Sequence, residues 1–242
     1  MIKRIFIAFL IFHASAAFAE TKLYLTGSAN AGYAHNPDLR SLIDESEKNF
    51  NEDLMKNDKT QRKDANLQYG YSLEPRLFFN NTGIGIMIGK QYLSKAKISA
   101  LSSDYGFWNE SYKINATVFG FNLLKKYNIS RNKRYWIIFG AGATYYRLTL
   151  DINYCDNHSL VSSFFDNKSL KTTGFGAQVK AELNFAINQR HDSLFIGIEG
   201  KKSIKLNFKG SYEDESGVIQ EEELKVSFSG VTLYGGLSFG IF

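Results

Sequence analysis

The chain lacks most of what marks a disulfide-stapled, metal-binding or helical membrane protein. One cysteine, Cys155, stands among 242 residues, so no internal disulfide can form, and it reads as an incidental thiol in a loop or rim. No Cys and His residues share a metal-ligand spacing, so neither metal nor cofactor is expected. Only two prolines interrupt the backbone, and they leave long strands possible. After residue 19 no apolar run approaches the roughly 20 residues that a membrane helix needs. Net charge is also small. Without residues 1–19, which hold Lys3 and Arg4, 27 basic and 24 acidic residues remain. A net charge of about +3 is too small to draw nucleic acid.

The first residues do carry a pattern. Lys3 and Arg4 precede an apolar run from Ile5 to Phe12, and Ala17-Phe18-Ala19 follows as a small-x-small site. This predicts a secretory signal peptide over residues 1–19, cut after Ala19, because the run is too short to anchor as a helix. No Cys lies beside the cut, so a lipid-modified N-terminus is not expected. Residues 20–242 have the length of one domain.

Within that domain the dominant signal has period two. In GFGAQVKAELNFAIN (174–188), Phe175, Ala177, Val179, Ala181, Leu183, Phe185 and Ile187 share one face, while Gln178, Lys180, Glu182 and Asn184 share the other. Eight such strands are predicted, at 22–34, 66–80, 83–95, 111–124, 134–153, 171–188, 193–209 and 223–241. Most are longer than the usual soluble strand and meet the 9–11 residues of a tilted membrane strand. The links alternate between long and short. A long first loop (35–65) contrasts with the turn NNTG at 80–83, and 96–110, 155–169 and 210–222 contrast with 125–134 and 188–192. An up-and-down membrane barrel sorts its loops this way, whereas a soluble sandwich has no reason to. In a barrel the apolar faces meet lipid and the polar faces the lumen. Glu74, Arg76, Lys180, Glu182, Glu199 and Lys201 then point inward, and as three acids and three bases they are expected to pair across the lumen. Fourteen tyrosines and twenty phenylalanines suit aromatic girdles, with Tyr69, Tyr71, Tyr112, Tyr135, Trp136, Tyr145, Tyr146 and Phe208 near strand ends.

Two irregular places stand out. In the last strand Leu224, Val226 and Phe228 differ in parity from Leu233, Leu237, Phe239 and Ile241, so a bulge is predicted near Ser229-Gly230. In the first loop Asn36 and Pro37 suit a helix start, and Leu39, Leu42, Ile43, Phe50 and Leu54 recur at helical spacing. That predicts an amphipathic helix at 38–56 or, if the spacing is chance, a polar loop. A helix over the barrel mouth would argue against an open pore.

The strands, the alternating links and the closing GGLSFGIF, with Phe242 as last residue, resemble the small eight-stranded outer-membrane barrels of the OmpA/OmpX type. Phe242 departs from that family's pattern, being out of phase with the apolar row Leu233, Leu237, Phe239 and Ile241. The resemblance implies an all-β, eight-stranded antiparallel up-and-down transmembrane barrel in a bacterial outer membrane. Both mature termini and the short turns would be periplasmic, and four loops would lie outside. It further implies a monomer, inserted by a barrel-assembly machinery, with outer-membrane lipids and lipopolysaccharide as partners. Lys95, Lys97, Lys168, Lys171 and Lys209 near the outer ends are candidate lipopolysaccharide contacts, and the acidic loop with Glu213 and Glu221 is expected to be solvated.

Some small outer-membrane barrels remodel lipid A with a His and a Ser or Asp at the outer rim. Here His158, Ser159 and Asp156 are the candidates. Adjacent strand residues point opposite ways, and the deacylase-type arrangement places its Ser two residues after the His rather than one. His35 and His191 fall in linkers at opposite ends. The expected role is therefore structural, adhesive or surface-interacting and not enzymatic. A lipid A-modifying enzyme and a narrow solute channel are the alternatives.

Overall fold

The computed structural model describes residues 21–36, 39–41, 43–44, 47–48, 59–63, 66–102, 106–130, 132, 134–157, 164–188, 192–204, 206–213 and 219–241. The signal-peptide segment, His158, Ser159, His191 and Phe242 lie outside these residues, as do the side chains of Asp156 and Lys168.

Twelve strands follow one another along the described chain: Thr21–Ala34 (β1), Lys59–Lys63 (β2), Leu67–Phe79 (β3), Thr82–Leu93 (β4), Ala96–Ser102 (β5), Gly106–Asn128 (β6), Tyr135–Asn157 (β7), Phe164–Ala186 (β8), Ser193–Ser203 (β9), Leu206–Glu213 (β10), Ile219–Val226 (β11) and Gly230–Gly240 (β12). Eight of them close a ring of antiparallel pairs in the order β6-β4-β3-β1-β12-β9-β8-β7, with β7 returning to β6. Closure leaves no membrane-level edge with unpaired backbone groups, the condition for a sheet to cross a bilayer.

The register fixes the shape of the ring. A walk of paired residues starts at Tyr145 and passes Phe119, Ile88, Leu73, Gly27, Leu237, Leu194 and Phe185. It returns to β7 at Tyr135, ten residues from where it began. That stagger is the shear of the barrel and tilts its strands. Every residue on this walk faces outward and all but Gly27 are large and apolar. On β7 the outward apolar run from Tyr135 to Tyr145 gives a belt about 26 Å tall for strands tilted by about 40°, matching the apolar band of outer-membrane barrels.

The tight ends lie together. Asn80 and Asn81 turn β3 into β4, with Asn80 at φ 57°, a left-handed conformation that Asn tolerates well. β6 passes to β7 and β8 to β9 at this end too, where β1 begins and β12 stops.

At the opposite end the strands outrun the belt, and here the sequence expectation needs correction. Residues 96–110, 155–169 and 210–222, expected as loops, are mostly strand, and β2 lies within the expected first loop. β2, β5, β6, β7 and β8 continue the sheet past the belt, and β10 pairs with β11 in a separate hairpin. The outward positions described on this extension, among them Lys97, Lys113, Thr149, Asp151 and Asn153, are polar, so the membrane-strand signal fades although the strand does not.

Its inward face is apolar. Ile98, Tyr112, Ile114, Tyr146, Leu148 and Leu150 pack with Phe208, Val226 and Phe228. Residues 39–41, 43–44 and 47–48 are helical, and they sink Leu39 and Ile43 to 1% exposure in this core. The helical segment is set by Asn36. Its carbonyl accepts from Arg40 N at 3.1 Å, as an N-cap carbonyl does, but its side chain accepts from Ser227 N at 2.7 Å instead of capping the helix. Ser203 and Ser229 continue this knot, with Phe228 N donating to Ser203 Oγ at 2.8 Å.

Two further expectations change. No phase shift occurs near Ser229-Gly230. Val226, Phe228, Thr232 and Tyr234 all face inward, and it is the interior that changes from polar to apolar. Residues 227–229 leave the ladder with no extra residue to bulge out. Phase does change in the seventh expected strand, which breaks after Ser203. Ile204 is exposed while Phe208 turns inward and is fully buried. Of the expected rim aromatics, Tyr69, Tyr71, Tyr135 and Tyr145 face outward. Tyr112, Trp136, Tyr146 and Phe208 are interior, as neighbours of opposite parity must be.

The belt predicts its own test. Leu123 is outward, 59% exposed, and near mid-belt. Leu123→Arg is expected to lower stability by about 2–4 kcal/mol in phospholipid bilayers. Thr149→Arg, outward but above the belt, should change it by under about 0.5 kcal/mol. Equilibrium unfolding in liposomes measures both.

Candidate functional site: an ion-pair layer across the barrel interior

The six lumen-facing charges expected from sequence are all buried, Arg76 at 2% and Glu182 at 1% exposure. Alternation brings them inward. Glu74 and Arg76 are two apart on β3, Lys180 and Glu182 two apart on β8, and Glu199 and Lys201 two apart on β9. In the ring β3 and β8 are four strands apart, on opposite walls.

Four of the charges meet in one layer. Arg76 donates from Nη1 and Nη2 to the two Glu182 oxygens at 2.7 and 2.6 Å, and from Nε to Glu74 Oε2 at 2.7 Å. Lys180 Nζ donates to both Glu74 oxygens at 2.8 and 2.6 Å and lies 3.7 Å from Glu182 Oε1. The forked guanidinium suits a bidentate carboxylate, the stronger form of charge-assisted bond. Two acids and two bases leave the layer neutral.

A second opposed pair of strands completes it. From β6, Asn122 donates to Glu74 Oε1 at 2.5 Å and accepts from Gln178 at 2.6 Å. From β12, Tyr234 OH donates to Glu182 Oε1 at 2.9 Å. Glu199 and Lys201 do not pair across the lumen. They bridge each other at 2.7 Å along β9, with Thr232 at 3.4 Å from Glu199. Asn122 and Tyr234 escaped the sequence reading because each sits in an apolar stretch. Their only signal is that they share parity with the inward residues of their strands.

Space for these long side chains comes from the strands between. A Cβ at Gly85 on β4 would stand 2.5 Å from Glu74 Oε1, and one at Gly197 on β9 would stand 2.7 Å from Tyr234 Cζ. At Gly142 on β7 it would collide with Asn122 Oδ1. Large side chains on alternate strands therefore fill gaps that glycines leave on their neighbours, which packs a narrow barrel.

Apolar clusters flank this layer above and below among the described residues. Towards the tight-turn end, Tyr24, Phe78, Leu124, Trp136 and Ile138 cluster, with Lys126 Nζ 4.3 Å from the Trp136 ring. A cavity of about 20 Å³ adjoins Ser28, Gln91 and Glu199, and one of about 10 Å³ adjoins Tyr24, Trp136 and Asn184. Arg76 lines both. The larger has room for about one water.

The rim candidates do not form one site. Lys95 and Lys171 are exposed and Lys97 is half-buried. Lys209 is exposed on the β10–β11 hairpin, opposite Glu223 in register. Lys168 pairs with Ile152 in the upper part of β8. Asp156 is near the end of β7, opposite Phe164. His35 donates its backbone N–H to Ser229 O at 2.8 Å. Among the described residues no group of His, Cys, Asp and Glu could hold a metal.

No protein-family model matches the chain, and no curated protein matches it by sequence. Solved structures do match by shape. A major outer membrane protein from Thermus thermophilus has a TM-score of 0.50 at 12% identity, over 91% of this chain and 99% of that one. The outer membrane protease OmpT from Escherichia coli gives 0.40 at 11% identity, over 91% and 96% of the two chains. The translocator domain of the autotransporter NalP from Neisseria meningitidis gives 0.28 at 11%, over 98% and 95%. The first of these likenesses agrees with the closed ring and its apolar belt, and the chain has the fold of an outer-membrane β-barrel. Within that class it is an eight-stranded barrel with an interior filled by side chains.

Removing one partner from the ion-pair layer strands buried charge. Arg76→Met is expected to cost about 3–5 kcal/mol. Guanidinium chloride titration of the refolded protein in micelles, followed by tryptophan fluorescence, measures the loss.

Proposed function

We propose that the protein is a monomeric integral barrel of the bacterial outer membrane, small and eight-stranded in the OmpA/OmpX manner. In this reading it conducts no solutes and catalyses no reaction. Its role is structural or adhesive: it holds a folded β-platform at the cell surface for contact with other surfaces. The observation that carries this reading is the filled interior. An apolar cluster, a neutral ion-pair layer and a second apolar core carrying Leu39 and Ile43 succeed one another along the axis. A side-chain-filled lumen is what eight strands leave, and it offers no wide aqueous path. What the barrel does offer is its extension. β7 runs twelve residues past Tyr145 to Asn157, about 40 Å of strand, with β6 and β8 paired on either side of it.

The long-strand end is assigned to the outside and the termini to the periplasm, because bacterial outer-membrane barrels keep short turns inside and long loops outside. Its partners in this reading are outer-membrane lipids, lipopolysaccharide and, during insertion, the assembly machinery.

Three measurements test the proposal. Purified protein in planar bilayers is expected to give no ohmic steps; stable steps would overturn the closed barrel. In a Cys155→Ser background, Asn153→Cys should react with a membrane-impermeant maleimide on intact cells. Thr82→Cys should react only after the outer membrane is opened, and the reverse pattern would invert the orientation. Cells carrying the protein should adhere to surfaces more than empty-vector cells, and equal adherence would count against a contact role.

A further inference from the structure

The outward face changes character between two adjacent rows of residues. The row Leu73, Ile88, Phe119, Tyr145 and Phe175 crosses β3, β4, β6, β7 and β8, and each side chain is apolar or aromatic. One step up, on the same face of the same strands, the row reads Tyr71, Lys90, Thr117, Arg147 and Thr173. The next reads Tyr69, Tyr92, Asn115, Thr149 and Lys171. Across these two rows there are three cations and no acid. Lys90, Arg147 and Lys171 are all exposed, and none forms an ion pair among the described residues. A further step up, Lys113 on β6 stands opposite Asp151 on β7, which accepts from Ser169 at 3.0 Å. Lys97 opposite Lys63 continues the positive charge above on the β5–β2 edge, whereas the two boundary rows are where three cations stand without an acid.

Its chemistry is that of a phosphorylated sugar. Arg147 lies diagonally from Lys171, roughly 7–8 Å away by strand geometry, and two strands from Lys90, roughly 10 Å. Long side chains at those spacings converge on one phosphate or reach two on a single headgroup. Arg147 supplies a planar fork for phosphate oxygens. Three threonine hydroxyls and the Asn115 carboxamide suit sugar hydroxyls and acyl amides. At one end Tyr69 and Tyr92 stack with centroids 5.4 Å apart, a flat amphipathic surface at headgroup depth.

We propose that these two rows bind the phosphorylated diglucosamine headgroup of an outer-leaflet glycolipid, its acyl chains lying over Leu73, Ile88, Phe119, Tyr145 and Phe175. This rests on the outer-membrane reading above and moves its lipid contacts from scattered rim lysines to one patch. Of those lysines only Lys171 belongs to it. The occupant is chosen by complementarity: the patch is cationic where it meets headgroup depth, and the rows below it are apolar where chains would run.

The test uses the full-length barrel refolded in zwitterionic micelles. Bound lipid is counted by native mass spectrometry during titration with bis-phosphorylated lipid A, dephosphorylated lipid A, phosphatidylglycerol or inorganic phosphate. Wild type should retain bis-phosphorylated lipid A at least tenfold better than the other three. A Lys90→Ala/Arg147→Ala/Lys171→Ala variant should lose at least tenfold of that retention. A Lys22→Ala/Lys125→Ala control, at the opposite rim, should lose none. Heat-modifiable migration on a gel shows that each variant is folded, and Arg147→Gln alone, expected to lose at least threefold, replaces the triple variant if that fails to fold. Equal retention by wild type and variant would overturn the site. So would a parallel loss of phosphatidylglycerol, which marks indiscriminate anion attraction, or displacement by inorganic phosphate, which marks a free-phosphate site. Any of these would leave the conductance and labelling outcomes, and so the closed-barrel reading, standing.

Discussion

Arg76 holds the two walls of the barrel together. Its guanidinium stays charged and offers five donors in one plane; here it grips Glu182 from the opposite wall with two and Glu74 from its own wall with a third. Much else in the interior follows from that one group. A buried guanidinium demands carboxylates, and two carboxylates demand a second base, which Lys180 supplies. Four long side chains meeting on the axis demand room, and Gly85, Gly140, Gly142 and Gly197 on the intervening strands leave it. Asn122 and Tyr234 donate to the same two carboxylates from the other two sides. The layer is a neutral, hydrogen-bonded network that ties opposite walls of the barrel to each other.

The inward face keeps one parity while its chemistry changes twice. On β7 it runs Trp136, Ile138, Gly140, Gly142, Thr144, Tyr146, Leu148, Leu150. The first two belong to an apolar cluster and the glycines to the charged layer. Tyr146, Leu148 and Leu150 belong to a core like that of a water-soluble protein. The outward face on the same strand reverses near Tyr145, from Phe139, Ala141 and Ala143 to Arg147, Thr149 and Asp151. Solvent explains both changes. Within the bilayer the outside must be apolar and the inside can be polar; beyond it the outside meets water, so the hydrophobic effect turns the inside into the core. The helical residues at Leu39 and Ile43 complete that core, a burial worth about 1.5–3 kcal/mol per side chain by area.

This inversion sets what could be read from sequence. The number of strands in the ring and the facing of Lys180 and Glu182 were legible, because within the belt polarity alone assigns the faces. Beyond the belt the same alternation carries the opposite meaning. Val226 and Phe228 look like lipid-facing residues out of phase with Leu233, although all obey one parity. Residues 96–99 look like a loop because the positions that alternate with buried Ala96 and Ile98, Lys97 and Ser99, are polar. Trp136 and Tyr146 look like girdle residues until each is set beside its neighbour, Tyr135 or Tyr145, which occupies the lipid face. Asn122 and Tyr234 could not be found by composition, since what places them is the ring order that puts β6 and β12 on opposite walls. The break after Ser203 has no period-two signature at all, and it decides that Phe208 joins the interior.

The barrel is also lopsided, and the proposed lipid site lies on the tall side. β1 stops at Ala34 and β12 starts at Gly230, both close to the upper edge of the belt, whereas β6, β7 and β8 continue well above it. A one-sided extension exposes its outward wall to the headgroup layer over several rows, and this is the wall that carries Lys90, Arg147 and Lys171. On the short side the outward residues at the same level are Tyr33 and Val231, with Lys202 on β9, so a phosphorylated headgroup would find one cation there instead of three. Headgroups bound to the tall wall would brace it laterally at the height where the sheet leaves the bilayer. The polar outer wall, the apolar inner wall and the cationic rows between belt and water then serve one end, a sheet that stands above the membrane on one side of a closed barrel.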